Sequence, residues 1–555
     1  MSTGRLSLLF HTVRHLRVEQ VAYRVYYRLG RRLVPRRALA TLPGIATRPW
    51  LRSWQAPLVA PRSHFGNGAF VFLGEPGEIR LPTDWNVPSK SKLWLYNLHY
   101  LDDLNAVDAD ARAEEQDWLI ERWVADNPPL AGNGWEPYPI SLRLINLIKW
   151  CARQSHSPEQ WLLASMARQT QALAVQEERH ILANHLFANG KALTFAGAFF
   201  AGDHGARWLR SGLDILDREI DEQFLADGGH FELSPMYHAT LLWDLCDLLN
   251  LAQICGLPEL AQRAPAWRGV IEHGLVWLEA MCHPDGDISF FNDAAHGVAP
   301  HPDDIRAYAV ALGCRPAAAL AGGLAWSHLT ATGYIVVQMA AGARALLDVA
   351  EVGPSYQPGH AHADTLSFEL SLFGQRVLVN SGTSRYGEDD ERHRQRSTAA
   401  HNTVEIDGES SSEVWSGFRV ARRARPTVPV VRRDDSGLGP RLLVRCAHDG
   451  YRRLPGAPVH QREWVFEPGR LRVTDRLSGT YRKAVGRFHL HPDIRVTSDR
   501  ELLLGGGHKV RWNVAGGQAR VVPASWHPQF GASAPTSCIE VLFGGSEVTV
   551  DFIWE

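Results

Sequence analysis

The hydrophobic pattern of this chain changes its period close to residue 330, and that change constrains the fold more than any other feature. From about residue 107 to 325, apolar residues recur every three or four positions, with short polar or Gly/Pro breaks between segments. This spacing predicts amphipathic helices. Beyond residue 330, short runs rich in Val, Thr, Phe and Leu alternate with turns, as is typical of β-strands. A helical half followed by an all-β half is therefore expected.

The predicted helices are joined by short breaks. Helices with short connections pack as antiparallel neighbours, so we expect a helical-hairpin array that closes into an incomplete α/α toroid. The strand-like runs recur at the spacing of about 8–12 residues that is typical of an antiparallel β-sandwich. The clearest helical segments are 140–153, 159–175, 185–200, 205–222, 236–256 and 264–282.

A chain of 555 residues is longer than a single hydrophobic core usually grows, so several domains are expected. We divide it into an N-terminal basic helix with a mixed connecting segment (1–105), the toroid (106–325) and the sandwich (326–555). The seven cysteines are scattered and form no CxxC pair, which argues against a disulfide framework and a zinc ribbon. The net charge of -2 does not indicate a nucleic-acid partner.

Residues 1–40 combine nine arginines with the single acid Glu19, and apolar residues recur among them at near-helical spacing. This pattern predicts a basic amphipathic helix that can contact an anionic membrane from one side. The alternative is a helix docked on its own protein with its arginines outward. No membrane span or signal peptide is recognised, so a cytoplasmic protein is expected, with the cell envelope or periplasm as the alternative. The oligomeric state stays open.

The segment ERHILANHLFANGKALTFAGAFF contains Asn184 and His185 at the apparent start of an apolar helix, with Asn189 about one turn further on. The first N–H groups of a helix are unpaired and carry partial positive charge. Amide and imidazole donors at this position would therefore form a cradle for a carboxylate. The alternative is that Asn184 caps the helix and His185 lies in a core.

The segment DGGHFELSPMYHATLLWDL has a helix-start signal at Ser234 and Pro235, which places Tyr237 and His238 in the first turn. The helix end and cationic neighbours are expected to lower the pKa of Tyr237 from its reference value of about 10, as a tyrosine base requires. The alternative is that Tyr237 is a packed aromatic residue and Glu232 a solvated acid.

A third polar cluster lies in GPSYQPGHAHADTLSFEL, where His360, His362 and Asp364 alternate. In an extended strand, residues two apart share a face, so these three side chains are expected to project together. That spacing suits a metal site or a catalytic dyad. Downstream, His401 and Asn402 begin another predicted strand.

These segments, in this order, resemble the heparinase II/III family of polysaccharide lyases. The resemblance extends from LWLYNLHYLDDL through the NH helix and SPMYH to GHAHAD and AAHNTVEIDG. It implies an N-terminal α/α toroid and a C-terminal antiparallel β-sandwich that hold an acidic polysaccharide in a cleft. It also implies that the protein cleaves the glycan at a uronate by β-elimination.

The resemblance assigns roles to individual residues. It implies that Asn184 and His185 neutralise the carboxylate of the substrate. It further implies that Tyr237 is the catalytic base and acid and that His360 is a second acid or base. Additional substrate contacts are expected from Asn189, His238, Arg385 and Arg396, of which the two arginines belong to a polar stretch that also contains Arg392 and Arg394.

His362 and His401 resemble ligands of one divalent, zinc-like metal ion in the sandwich domain. Many relatives have an aspartate at the third ligand position, where this chain has Asn380. An amide oxygen is a weaker metal ligand than a carboxylate, and Asp364 could compensate.

Three other functions are compatible with the same residues. A uronate C5-epimerase would return the abstracted proton to the opposite face of the sugar without breaking the chain. A glycoside hydrolase would need paired acids, for which Glu232 and Asp287 are the candidates. A non-catalytic glycan-binding component of exopolysaccharide assembly would not depend on Tyr237 for its activity.

Overall fold

The computed structural model describes residues 3–30, 37–39, 42, 44–154, 157–315, 324–340, 342–436, 439–498 and 500–555. Over these ranges, an array of helices precedes antiparallel sheets, as the periodicity predicts. The helices are α1 (Thr3–Val13), α2 (Val18–Gly30), α3 (Lys92–Tyr100), α4 (Ala113–Asp126), α5 (Pro137–Arg153), α6 (Gln160–Ala174), α7 (Ala183–Phe199), α8 (Gly202–Gln223), α9 (Pro235–Ile254), α10 (Pro258–Ala261), α11 (Ala264–Ala280), α12 (Pro302–Ala311) and α13 (Asp390–Arg396).

Glycine lets α7 and α8 pack with their backbones close together. A Cβ added at Gly197 of α7 would lie 2.3 Å from the backbone nitrogen of Leu209 in α8. One added at Gly212 of α8 would lie 2.4 Å from the hydroxyl of Thr194 in α7. A larger residue at either position would force the helices apart. This contact fixes α7, whose first turn carries Asn184.

The strands after residue 324 form three larger antiparallel sheets and one two-stranded hairpin, in which Val414–Trp415 pairs with Arg419–Val420. Their core contains Phe368, Trp464 and Phe488, which lie between the facing sheets. The first two strands of the chain, β1 (Ala69–Phe72) and β2 (Glu75–Glu78), form a separate hairpin in the connecting segment. The remaining strands are β3 (Ala325–Leu329), β4 (Tyr334–Gln338), β5 (Arg344–Asp348), β6 (Phe368–Leu372), β7 (Gln375–Leu378), β8 (Val404–Ile406), β9 (Val414–Trp415), β10 (Arg419–Val420), β11 (Val430–Asp434), β12 (Arg441–His448), β13 (Val459–Glu467), β14 (Arg470–Ser478), β15 (Ala484–His489), β16 (Arg495–Ser498), β17 (Glu501–Leu503), β18 (Lys509–Ala515), β19 (Gly517–Trp526), β20 (Ala534–Phe543) and β21 (Glu547–Trp554).

The largest sheet has eight strands in the order β11-β12-β13-β14-β21-β18-β17-β16. The others have the orders β3-β4-β5-β6-β7 and β19-β20-β15-β8. The β3–β7 sheet also faces the helices, because Trp277 of α11 and Phe291 join Tyr334 and Leu346 in one buried cluster. The hydroxyl of Tyr334 donates a 2.6 Å hydrogen bond to the carbonyl of Leu233, just before α9. The sandwich therefore anchors the segment that leads into Tyr237.

Within the described residues 3–30, the N-terminal basic segment forms two helices, α1 and α2, instead of one. Leu33, Arg31, Arg32 and Arg36 lie outside the described residues. Among the helices that the structure describes, none is long and apolar enough to cross a membrane.

Candidate active site

Tyr237 and His360 meet where the helical array contacts the sandwich domain. Their rings are stacked with centroids 3.9 Å apart and planes inclined by 13°. Tyr237 lies in the first turn of α9, where its backbone N–H donates to the hydroxyl of Ser234, 3.2 Å away. The predicted helix start is confirmed: Ser234 is the N-cap and Pro235 follows it. One ring comes from a helix and the other from the sandwich domain, so the pair depends on the docking of both.

Glu232 connects this pair to the start of α7. Its carboxylate binds Nδ1 of His360, and its second oxygen accepts from the backbone N–H of Asn184 at 3.4 Å. Burial alone would raise the pKa of Glu232, but the adjacent His360 outweighs it, and the pKa lies below its usual range. Asn184, Glu232, His360 and Tyr237 are thus linked by direct contacts. Glu232 is buried and paired, which contradicts the alternative of a solvated acid.

Asn184 and His185 occupy the first turn of α7, as predicted. The N-cap is Leu182, whose side chain makes no capping hydrogen bond, so the alternative that Asn184 caps the helix is wrong. Leu182 and Ala183 both have positive φ, at 70° and 54°. Left-handed backbone at two successive non-glycine residues is strained and clusters at functional sites.

His185 is held by Glu178. Its Nδ1 lies 2.9 Å from a carboxylate oxygen of Glu178, and its ring packs on Tyr138 with centroids 4.5 Å apart. Burial works to lower the pKa of His185, but the negative charge of Glu178 dominates and raises it. A cationic imidazolium at a helix N-terminus strengthens the site for an anion.

Tyr386, which the sequence did not single out, completes the polar face around Tyr237. The two phenol oxygens lie 2.8 Å apart. Arg392 lies over the Tyr386 ring, with its guanidinium carbon 4.9 Å from the centroid, and binds both oxygens of buried Asp293. Burial is the main cause that raises the pKa of Tyr237 well above its ordinary value, and the neighbouring Tyr386 and Asp293 raise it further. The expectation that this pKa is lowered is therefore wrong: burial dominates, and the nearby Arg392 is already paired with Asp293.

Three residues predicted to bind substrate have side chains that serve the core instead. Asn189 accepts from the backbone N–H of Glu178 at 2.7 Å and donates to its carboxylate, so it orients the partner of His185. His238 is buried, with Nε2 2.9 Å from the carbonyl of Gly274. Arg396 is buried and donates to the carbonyl of Ala361. These predictions are corrected, because none of the three side chains is open to a ligand.

Arg385 differs from these residues. It is exposed, and its guanidinium lies 3.7 Å from the carboxylate of Asp389, four residues further along the chain, so its predicted contact with substrate stays a prediction. The polar stretch around it contains the short helix α13, in which Arg392 and Arg394 both bind carboxylates of the protein.

His360, His362 and Asp364 do not project from one face of a strand. The segment from 359 to 367 is irregular, and β6 begins only at Phe368. His360 therefore points to Glu232, His362 to Asp293 at 2.8 Å, and Asp364 accepts from the backbone of Asn292. The shared-face prediction is wrong, and Asp364 does not join His362 as a possible ligand.

The three predicted metal ligands lie together but do not form a three-donor set. Nδ1 of His362 and Nε2 of His401 are 3.2 Å apart, which suits a shared ion or a hydrogen bond. The oxygen of Asn380 lies 3.1 Å from the other nitrogen of His401, on the far side of that ring. Among the residues that the structure describes, no group of three His, Cys, Asp or Glu side chains could hold a metal ion. We assign no chemical step to a metal here.

The functional residues that the sequence did not identify are those that contact and orient the predicted site residues. Glu232 was considered only as a solvated or hydrolytic acid, and Glu178 and Asp293 were not considered at all. Asp287 binds His296 at 2.8 Å, so Glu232 and Asp287 each have a separate histidine instead of forming one acid pair. Sequence spacing does not indicate the contacts of Glu232 and Asp293, because their partners His360 and Arg392 lie 128 and 99 residues away along the chain.

Family models match most of the chain. The model described as heparinase II/III N-terminus matches residues 105–308, and the one described as heparinase II/III-like, C-terminal, matches residues 322–554. A crystal structure of heparinase III superposes with a TM-score of 0.65 at 14% identity, covering 87% of this chain and 79% of that one. The predicted fold class, an α/α toroid followed by an antiparallel β-sandwich, is confirmed by this likeness.

Two curated proteins show different extents of similarity. A heparin-sulfate lyase from Bacteroides stercoris is 30% identical over 258 residues, which cover 42% of this chain and 38% of that enzyme. FtsZ-localized protein C from Caulobacter vibrioides is 26% identical over 488 residues, which cover 80% of this chain and 78% of that protein. The match to the lyase thus spans well under two thirds of its length.

Proposed function

The protein belongs to the heparinase II/III-like family, and from this premise we propose that it is a polysaccharide lyase that cleaves an acidic glycan at a uronate by β-elimination. One observation carries the proposal. The start of α7 with Asn184 and His185, and the stacked pair of Tyr237 and His360, are joined by contacts through Glu232. The heparin-sulfate lyase among the relatives supports an acidic polysaccharide as the substrate class.

The first requirement of the reaction is to neutralise the uronate carboxylate. Removal of the C5 proton puts a second negative charge onto a group that is already anionic. The amide of Asn184 and the imidazolium of His185, at the start of α7, would stabilise that charge as it forms. A single preorganised donor of this kind contributes roughly 3–4 kcal/mol in other enzymes.

The two proton transfers of the reaction are assigned to different residues of the stacked pair, His360 and Tyr237. We assign abstraction to Nε2 of His360, because Glu232 binds Nδ1 and would stabilise the imidazolium that forms. The raised pKa of Tyr237 keeps its phenol protonated, so Tyr237 can donate a proton to the departing oxygen. As the electron pair of the C5–H bond forms the C4=C5 double bond, the C4–O bond breaks, and its oxygen takes the proton of Tyr237. Tyr386 is placed to stabilise the resulting phenolate.

This division predicts which uronate reacts faster. A sugar bound along the edges of the two parallel rings would have base and acid on the same side, which favours syn elimination. In glucuronate, the C5 proton and the C4 oxygen lie on the same side of the ring, whereas in iduronate they lie on opposite sides. Glucuronate is therefore the proposed residue at the cleavage site.

A screen of uronate polysaccharides tests the function. The lyase produces an unsaturated uronate, which absorbs ultraviolet light, and glucuronate-rich glycans should react fastest. Equal rates with and without a chelator are expected, because no step is assigned to a metal. Incorporation of solvent deuterium at C5 without chain shortening would instead identify a uronate C5-epimerase.

A non-catalytic glycan-binding role is the second candidate, because a relative whose name states no enzymatic activity aligns with most of this chain. FtsZ-localized protein C aligns with 80% of this chain, more than the 42% aligned with the heparin-sulfate lyase. A glycan-binding protein on this scaffold would bind uronate polysaccharides without forming a double bond. Absence of the ultraviolet signal for every glycan that binds would favour this candidate over the lyase.

Tyr386→Phe should lower kcat by about fivefold to tenfold, with little change in KM. The variant removes one hydrogen bond to the Tyr237 oxygen, an effect of about 1 kcal/mol. If Tyr386 acts only through Tyr237, adding Tyr386→Phe to Tyr237→Phe should cause no further loss. Independent, multiplicative losses in the double variant would contradict this positioning role.

Glu178→Gln should move the alkaline limb of the kcat/KM profile to lower pH. The pKa of His185 is raised by Glu178, so the imidazolium persists above its usual range and is lost as the pH rises through that raised pKa. Without the negative charge, the proton is lost at lower pH. Glu177→Gln is the control, because Glu177 pairs with Arg179 at 2.8 Å. An unchanged limb in Glu178→Gln would exclude a charged His185 from the reaction.

A further inference from the structure

The N-terminal helices turn their apolar sides away from the protein. A helix on a protein surface normally buries its apolar stripe against the core. In α1 and α2, large apolar side chains also line the side that faces solvent. We call these residues the N-terminal apolar face; they are Leu6, Phe10, Val13, Val18, Val25 and Leu29.

The docked side of α1 combines polar contacts with the half-buried Leu8. The hydroxyl of Ser7 accepts a hydrogen bond from Arg422 at 3.1 Å, and that of Thr12 accepts one from Trp415 at 3.1 Å. Leu6, Phe10 and Val13 are spaced by four and three residues, so they share the other side of the helix. Phe10 is 66% exposed. Docking on the sandwich domain therefore leaves this stripe uncovered.

The second helix repeats the arrangement against the toroid. Gln20 donates to the carbonyl of Ile181 at 3.2 Å, and Tyr27 donates to the carbonyl of Glu177. Val18, Val25 and Leu29 lie on the opposite side, and Val18 and Leu29 are 86% and 79% exposed. Exposed apolar residues aligned along one side of each helix mark an interaction site more often than scattered ones do.

Arginines border the stripes. Arg5, Arg14 and Arg28 each lie one residue from a member of the N-terminal apolar face, which is a rotation of about 100° around the helix. All three are exposed, and none forms an ion pair with a carboxylate in the described part of the chain. Arg14 also lines a cavity of about 640 Å³ together with Arg423 and Arg425, which likewise have no ion-pair partner among the described carboxylates.

We propose that the N-terminal apolar face binds an anionic phospholipid surface, with α1 and α2 lying flat and their arginines contacting the headgroups. Apolar side chains that enter the acyl boundary, bordered by arginines, are the features of interfacial helices. A second copy of the chain is a poorer occupant. A two-fold contact across this face would set the same arginines against each other and bury like charges.

Vesicle co-sedimentation of the full chain tests the proposal. We expect the protein to sediment with phosphatidylcholine vesicles that contain phosphatidylglycerol, and to bind about tenfold less to phosphatidylcholine alone. Phe10→Ser combined with Leu29→Ser should lower binding by about tenfold or more, because most of the inserted apolar area is lost. Arg5→Glu, Arg14→Glu and Arg28→Glu together should abolish the preference for anionic vesicles.

Matched control variants distinguish vesicle binding by the N-terminal apolar face from nonspecific hydrophobic or electrostatic binding elsewhere on the protein. Val18→Ser should weaken binding, whereas Val428→Ser, at an equally exposed valine of 87% in the sandwich domain, should not. A triple Arg→Glu change at Arg482, Arg511 and Arg520, in exposed positions of the same domain, should leave binding unchanged. Equal losses in these controls, or equal binding to neutral vesicles, would overturn the proposal. So would a wild-type dimer that Phe10→Ser and Leu29→Ser convert to a monomer.

Discussion

Tyr237→Phe is expected to lower kcat on a uronate glycan by about 10³-fold while the affinity for the glycan stays largely unchanged. The substitution removes only the phenol oxygen. The ring that stacks on His360 at 3.9 Å remains, and so do the carboxylate-binding groups at the start of α7. The leaving oxygen then departs without a proton donor. Steady-state rates of double-bond formation, with calorimetric binding of an oligosaccharide, measure the two quantities separately.

Tyr451→Phe is the control for loss of a buried hydroxyl. Its oxygen donates to the carbonyl of Val404 within the sandwich domain. This variant should lose about 1 kcal/mol of stability and keep its kcat. Full turnover by Tyr237→Phe would remove the acid from the proposed mechanism. Binding by both variants without any turnover by the wild-type protein would support the non-catalytic candidate instead.

The fold class could be predicted because it depends on local patterns that are visible in the sequence. The change of period near residue 330 marks where helices give way to strands, and the last helix of the array ends at Ala311, before β3 begins at Ala325. The start of α9 could be predicted because Ser234 and Pro235 are local signals for a helix N-terminus. Local signals of this kind depend on residues within one helical turn. They can therefore be recognised without knowing the long-range contacts of the chain.

The inner arrangement of the site depends on long-range contacts that the sequence does not display. His360 and His362 diverge because the chain between them is irregular, and each side chain is drawn to a carboxylate from another segment, Glu232 or Asp293. Tyr386 reaches Tyr237 only because the sandwich docks on the helices. Alternation in sequence implies a shared face only in an extended strand.

The direction of the pKa shift at Tyr237 also depends on long-range contacts that the sequence does not display. A helix N-terminus and nearby arginines favour a lowered pKa when they are considered alone. In the folded protein Arg392 is already paired with Asp293, and burial dominates, so the pKa of Tyr237 is raised. Whether a cation is available to a group depends on its other partners, which only the three-dimensional structure specifies.

Glu232→Gln is expected to lower kcat by about 10²–10⁴-fold with little change in KM. Glutamine keeps the shape and one hydrogen bond to Nδ1 of His360 but removes the negative charge that would stabilise the imidazolium formed by proton abstraction. Because abstraction then becomes slower relative to the other steps, the kinetic isotope effect with substrate deuterated at C5 should increase. A purely structural role of Glu232 would not change that isotope effect.

The matched control is a second buried glutamate–histidine pair. Glu369 of the sandwich domain contacts His283, which follows α11 of the helical array, at 2.7 Å with both side chains fully buried. Glu369→Gln should therefore cost stability, measured as a lower Tm, without changing kcat or the isotope effect. If both variants lose activity only in proportion to their loss of folded protein, Glu232 is a structural group. His360 would then lose its role as the base, because no other carboxylate is among the described contacts of its ring.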